Sequence, residues 1–383
     1  MSKPLRILPG DPKASYLAHK AEIDDAVSRA IQSGWYILGT EVSSFEREFA
    51  GYLGVAEAIG VGSGTEAIHL ALRTLGVGPG DGVVTVSHTA VATVAAIELA
   101  GAEPLLVDID ASTFTMEVRS LEAAIAGHRG ARLKAIVPVH LYGHPADMPA
   151  IVDIARRHRL FVIEDCAQAH GAAIGSRKIG TWGDLACFSF YPTKNLAALG
   201  DGGALVTDNL EWMARARMLR QYGWRERYIS EIAGLNTRLD ELQAAVLRAK
   251  LPHLDRENAR RREIAARYNA ALESTPLALP RAAPGVTHVY HQYTIRTPYR
   301  DELAGFLRDR GIGAGILYPL PVHMQAAYRD RPLAVPTGLI ESERACRELL
   351  CLPVQPQLTD AEVAEVAAQV VTWCQTSADR VRA

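Results

Sequence analysis

Residues 187–208 read CFSFYPTKNLAALGDGGALVTD. An apolar run ends at Phe190, a lone lysine, Lys194, follows four residues later, and a second apolar run begins after a glycine cluster. The two strand-like runs leave no room for a crossover helix between them. Upstream the rhythm is different: short apolar strand patterns such as GVVTVS (82–87) and LFVIED (160–165) alternate with helical patterns. That alternation predicts an α/β fold with a mixed, mostly parallel sheet covered on both faces. Two helical patterns come before the first strand, one ending at Gly34 and one from about Ser43 or Ser44, as a cap, to Gly54. After residue 208 a long helical region follows, and Pro252 should kink it. The chain from about Pro276 has the mixed pattern of a smaller α+β unit. The expected organisation is a large domain over residues 1–250 and a small C-terminal domain over 251–383 that includes the linking helix.

The 383 residues carry a formal net charge of -2, with 48% hydrophobic and 22% charged residues. This is ordinary globular composition. It lacks the basic excess of a nucleic-acid or membrane-surface binder. The longest apolar stretch, residues 89–107, is interrupted by Glu98 and Glu103, which argues against a membrane span. The N-terminal residues show no secretory pattern. The five cysteines are scattered, without CxxC or a Cys/His cluster, so the expectation is a reduced, cytoplasmic protein with no structural zinc. Seven of the 41 basic residues are lysines, which makes each lysine slightly more informative than usual.

Three features fall where strands end, and open α/β sheets bind ligands there. Ser63-Gly64-Thr65 lies between a strand and a helix, where free amides and the helix dipole favour a phosphate. The alternative is a plain turn with a capping Ser. Asp165 ends an apolar strand; a buried carboxylate there needs a cation or hydrogen-bond donors. Its alternative role is a cap. Lys194 sits past the strand CFSFY, where partial desolvation would lower its pKa and make it nucleophilic. Taken alone it would be a surface lysine. A phosphate cradle, a buried Asp and a carbonyl-binding Lys together are what pyridoxal 5′-phosphate (PLP) requires.

With these residues in place, the chain resembles the DegT/DnrJ/EryC1/StrS family of PLP-dependent nucleotide-sugar aminotransferases, which have the aspartate-aminotransferase fold (PLP fold type I). The resemblance runs through GTEVSSFEREFAGYLGV (39–55), SGTEAIHLAL (63–72), IEDCAQAHGA (163–172), the 180–208 segment and NTRLDELQAAVLRAKL (236–251). It implies that Lys194 binds the cofactor aldehyde and that Asp165 partners the ring nitrogen. Gln168 lies beside the ring hydroxyl, and Gly64, Thr65 and Ser189 hold the phosphate. Asn236 reaches the phosphate of a neighbouring subunit, which implies a homodimer with shared sites. Many relatives have a ring-stacking aromatic where this chain has Ala90. His88 is the candidate replacement, with a packed histidine as the alternative.

The resemblance also implies transfer of an amino group from L-glutamate, leaving 2-oxoglutarate, to a nucleotide-linked ketosugar. The sequence GDGGA (200–204) resembles the enzymes acting at C3 of dTDP-linked 3-keto-6-deoxyhexoses; C4 or a UDP-linked sugar is the alternative. Substrate contacts are expected from Arg225 and Tyr228 in the RQYGWRERY loop, and from Tyr318 and His323 in ILYPLPVHMQ. A nicotinamide-dependent Rossmann enzyme fits poorly, because the glycines of GVGSGT are misplaced. A non-catalytic regulator keeping the same fold is the alternative of a different class.

Overall fold

The computed structural model describes residues 4–331, 333 and 338–376. The strands before Lys194 are β1 (Glu57–Val61), β2 (Asp81–Val86), β3 (Glu103–Val107), β4 (Arg132–Ile136), β5 (Phe161–Asp165), the short pair β6 (Ala173–Ile174) and β7 (Arg177–Lys178), and β8 (Leu185–Ser189). Behind it come β9 (Gly203–Thr207), β10 (Trp224–Glu226), β11 (Ile229–Ser230), β12 (Val286–Thr287), β13 (Tyr293–Arg296) and β14 (Leu349–Leu352). The central sheet has seven strands in the order β1-β9-β8-β5-β4-β2-β3. From β3 to β8 every neighbouring pair is parallel. Strand β9 runs antiparallel to both β8 and β1. The missing crossover after Phe190 is the physical reason: a 13-residue connection without a helix can only turn the chain back.

The helices are α1 (Pro12–Ala18), α2 (Lys20–Gln32), α3 (Thr40–Leu53), α4 (Gly64–Thr74), α5 (Val91–Leu99), α6 (Val118–Gly127), α7 (Met148–His158), α8 (Leu210–Arg220), α9 (Glu241–Lys250), α10 (Leu254–Leu272), α11 (Arg300–Asp309), α12 (Ile340–Glu348) and α13 (Asp360–Thr376). Successive residues of each strand enter opposite cores. Val84, Ala186, Ala204 and Val206 pack on the side of α3, α6 and α7. Val83, Leu185, Cys187 and Leu205 pack on the side of α4, α5 and α8. Burial on both faces explains why these strands are apolar throughout. A third core joins α10, α11, α13, β13 and β14, and Ile7 from the N-terminal segment belongs to it.

Two local readings need correction. Helix α3 begins at Thr40 rather than at a Ser43 or Ser44 cap, because a distant carboxylate caps it. Glu241 accepts hydrogen bonds from the amides of Gly39 (2.7 Å), Glu41 (2.8 Å) and Val42 (2.9 Å). No local sequence pattern reports such a cap. The RQYGWRERY segment (220–228) runs from the last residue of α8 through β10 into the turn before β11, rather than being a plain loop. Pro252 lies in the single 3-10 turn, Leu251–His253, that separates α9 from α10. No described helix is long and apolar enough to cross a membrane.

Candidate active site

The loop between β8 and β9 carries Lys194, and its position is fixed by close packing around two glycines. A Cβ on Gly203 would lie 2.4 Å from the carbonyl oxygen of Ser63, so only glycine lets β9 start against the β1–α4 turn. A Cβ on Gly64 would lie 2.6 Å from Cβ of Ser189. Bare backbone at position 64 thus brings the start of α4 against the end of β8. Ser63 caps α4 by accepting from the amide of Glu66 (3.2 Å). The amides of Gly64 and Thr65 precede the first intrahelical bonds and are open.

A cavity of ≈ 230 Å³ opens here, lined by Gly64, Thr65, Asp165, Gln168, Ser189 and Lys194, with Thr89, Ala90, Val139 and Leu141 among its other walls. Asp165 stands at the C-terminal end of β5 and is buried. Its Oδ2 accepts from the Thr93 hydroxyl (2.8 Å) and its Oδ1 from the amide of Ala167 (3.1 Å). Burial raises its pKa, while those two donors and the charge of Lys194 act in the opposite direction. A carboxylate so placed is stabilised by any cation that enters the cavity. Lys194 lines open space rather than solid core, so it is half-buried. The enclosing protein still depresses its pKa to about 8, and Asp165 only partly offsets this. A large fraction of the amine is therefore neutral near pH 8.

Gln168 joins two parts of the chain. Its Oε1 accepts from the amide of Tyr142 (2.8 Å), and its Nε2 donates to the hydroxyl of Tyr318 (3.1 Å). Tyr318 thereby touches Gln168 but does not itself line the cavity. His88 does not line it either. Its ring is fully buried, with Nδ1 3.1 Å from Sγ of Cys346 and Nε2 2.7 Å from the Tyr142 hydroxyl. Burial pushes its pKa down to about 3, so it is a neutral packing residue. Ala90 itself lines the cavity and Tyr191 is the aromatic residue beside it. His323 is engaged by Ser87 Oγ (2.7 Å) and by Glu343 (3.3 Å) and does not line the cavity. Arg225 is 70% exposed and paired with Glu231 of its own hairpin at 3.1 Å. Tyr228 is 74% exposed. Asn236 is exposed and bridges to Gln221, outside this chain's own cavity. Sequence reasoning missed Thr93, whose only signal is a hydroxyl in the apolar first half of α5.

These residues fit PLP. Open amides and the Ser189 hydroxyl suit a phosphate ester, Asp165 suits a protonated ring nitrogen, and a depressed lysine suits an aldehyde. Fold and site together define a PLP-dependent enzyme of the aspartate-aminotransferase type. Residues 18–371 match the DegT/DnrJ/EryC1/StrS aminotransferase family, and the chain belongs to it. It is 46% identical over 367 residues, 95% of each chain, to dTDP-3-amino-3,4,6-trideoxy-alpha-D-glucose transaminase of Streptomyces venezuelae. It is 43% identical to a pleiotropic regulatory protein of Geobacillus stearothermophilus (95% of this chain, 97% of the relative). It is 41% identical to UDP-N-acetyl-3-dehydro-alpha-D-glucosamine 3-aminotransferase of Acidithiobacillus ferrooxidans (94% and 96%). The crystal structure of S. venezuelae DesV superposes with a TM-score of 0.92 at 45% identity, covering 97% of this chain and 99% of that one. The protein is a PLP-dependent aminotransferase.

Proposed function

We propose that the enzyme moves an amino group from L-glutamate to C3 of a dTDP-linked 3-keto-6-deoxyhexose, giving a 3-amino-3,6-dideoxyhexose. The observation that carries the reading is the shared cavity of Lys194 and Asp165 beside an open helix N-terminus. Support for C3 comes from the S. venezuelae and A. ferrooxidans relatives, both named for the 3-position. The first relative's dTDP-sugar favours that nucleotide; the second makes a UDP-linked ketosugar the alternative. When bound, PLP supplies an aldehyde for the amino group and a ring that takes up the electron pair released with a proton. Lys194, neutral near pH 8, is placed to bind that aldehyde and then to carry the proton as base and acid. Asp165, fixed by Thr93 and Ala167, holds a cation at the ring nitrogen. Ser189 and the amides of Gly64 and Thr65 hold the phosphate.

The reading includes a cytoplasmic homodimer with composite sites, organised as the two domains expected at 1–250 and 251–383. Exposed Ile31, Trp35 and Tyr36 beside α2 support an interface with a second copy. Asn236, Arg225 and Tyr228 do not line their own cavity and are proposed to serve the partner's. The test is the absorbance spectrum of the purified protein before and after L-glutamate. Conversion of the lysine-bound cofactor band to the pyridoxamine form is expected, with reversal by a dTDP-3-ketosugar. Reversal only by a UDP-linked ketosugar would move the nucleotide assignment. The relatives' transaminase activity rules out the non-catalytic regulator weighed from the sequence, so failure to half-react with glutamate would overturn glutamate as the amino donor.

A further inference from the structure

Lys194 faces two cavities. The second, ≈ 400 Å³, lies between the Lys194 loop, α10, and the N-terminal and C-terminal segments, and Arg261 of α10 lines it. Arg261 is only 8% exposed, so its guanidinium is almost wholly enclosed. Its Nη1 has two long contacts, 3.4 Å to the carbonyls of Tyr290 and Val354. Its Nε and Nη2 have no partner among the described residues, and no carboxylate lies within ion-pairing distance of it among them. An enclosed guanidinium normally sits against an acid, because removing its charge from water is costly.

The acids that share the cavity have other partners, Glu257 through its Oε1, and neither forms an ion pair with Arg261 among the described residues. Glu257 accepts from Nε2 of His19 (2.7 Å) and Nε2 of Gln357 (3.4 Å). Asp11 caps α1 through the amide of Ala14 (2.9 Å). The field of Glu257 reaches Arg261 but only partly offsets the burial that lowers its pKa to about 10. His291, fully enclosed and held by Asn195 Oδ1 (3.1 Å), feels the charges of both Lys194 and Arg261. Lys194, Arg261 and the neutral His291 thus line one cavity, and Arg261 presents an open fork of donors.

We propose that Arg261 binds the side-chain carboxylate of the dicarboxylic amino donor while the donor's amine stands at Lys194. An acceptor with two oxygens matches the fork, and the cavity shared with Lys194 places it on the route of the donor rather than in the phosphate cavity. The assignment rests on the aminotransferase reading of Lys194. It makes Arg261 the residue that prefers glutamate to an uncharged amino acid of the same size.

The test uses the PLP-loaded, full-length enzyme. Calorimetry is run with glutarate, a dicarboxylate without an amine, and with butyrate, which has a single carboxylate. Stopped-flow half-reactions are run with L-glutamate and L-glutamine. Glutarate should bind more tightly than butyrate. Arg261→Met should weaken glutarate binding by about 10- to 100-fold and erase the preference for glutamate over glutamine. Arg261→Lys keeps the charge without the fork and should fall between; it also serves if the Met variant does not fold. A folded variant with unchanged glutarate affinity and unchanged preference would overturn the proposal while leaving the aminotransferase reading intact. So would a wild-type enzyme that binds glutarate no better than butyrate. Absence of any half-reaction, with no lysine-bound cofactor band, would instead remove the reading on which the proposal rests.

Discussion

Replacing Lys194 by alanine removes both the amine that binds the aldehyde and the group that moves the proton. Activity should fall by about 10²–10⁴-fold or more, and the lysine-bound absorbance band should vanish. The melting temperature should barely change, since Nζ faces open space. The pH dependence follows from the depressed lysine. Below about 8 the amine is protonated and cannot attack, so PLP uptake by the apoenzyme should accelerate about tenfold per pH unit and level off above about pH 8. Uptake followed by absorbance across that range checks this; a rise continuing to pH 10 would mean an ordinary lysine. Asp165→Asn keeps the shape and removes the charge, and the glutamate half-reaction should slow by about 10²–10³-fold. Asp165 was legible in the sequence because it ends an apolar strand, and Lys194 because a lone lysine follows one in a chain with few lysines. Thr93 and Arg261 were not, because a hydroxyl or a guanidinium on a helix looks alike whether it meets solvent or a cavity.

At the scale of elements, the site depends on three pieces meeting: the end of β5, the end of β8 and the start of α4. Gly64→Ala would push a methyl into Ser189, and α4 would have to retreat. PLP affinity should drop by about tenfold or more, read by equilibrium dialysis, with only a small loss of stability. Glu241→Ala should destabilise the protein by about 2 kcal/mol in chemical denaturation, since three amides at the start of α3 lose their acceptor. Strand and helix order were readable from periodicity, and so was the break after Phe190, because backbone geometry imposes those patterns locally. The start of α3 was not, because its cap comes from a residue 200 positions away. His88 was misplaced for a related reason. Sequence puts it two residues from Ala90, but the turn into α5 directs Ala90 to the cavity and the His88 ring to Tyr142 and Cys346.

The whole molecule adds what one chain leaves open. If Asn236 serves the partner's cofactor, Lys194→Ala and Asn236→Ala chains should each be weak alone. Co-refolded as an equal mixture, they should recover about a quarter of the wild-type sites, because mixed dimers rebuild one of their two. No recovery, with dimers present by light scattering, would assign Asn236 to its own subunit. Domain organisation was only partly legible. The third core could be foreseen from the pattern after Pro276, but not that Ile7 joins it, since one isoleucine near a terminus carries no address.

Strand β1 stands at the end of the sheet, and its single neighbour there is β9. Helix α3, just before β1, takes its cap from Glu241. On the ribosome these first-made pieces must wait, unpaired, until the stretch through Thr207 and then Glu241 has emerged. Nascent chains halted before Thr207 should therefore expose the apolar face of α3 and strand β1 and be bound by chaperones. Chains released after Glu241 should close the large sheet before the third core is complete.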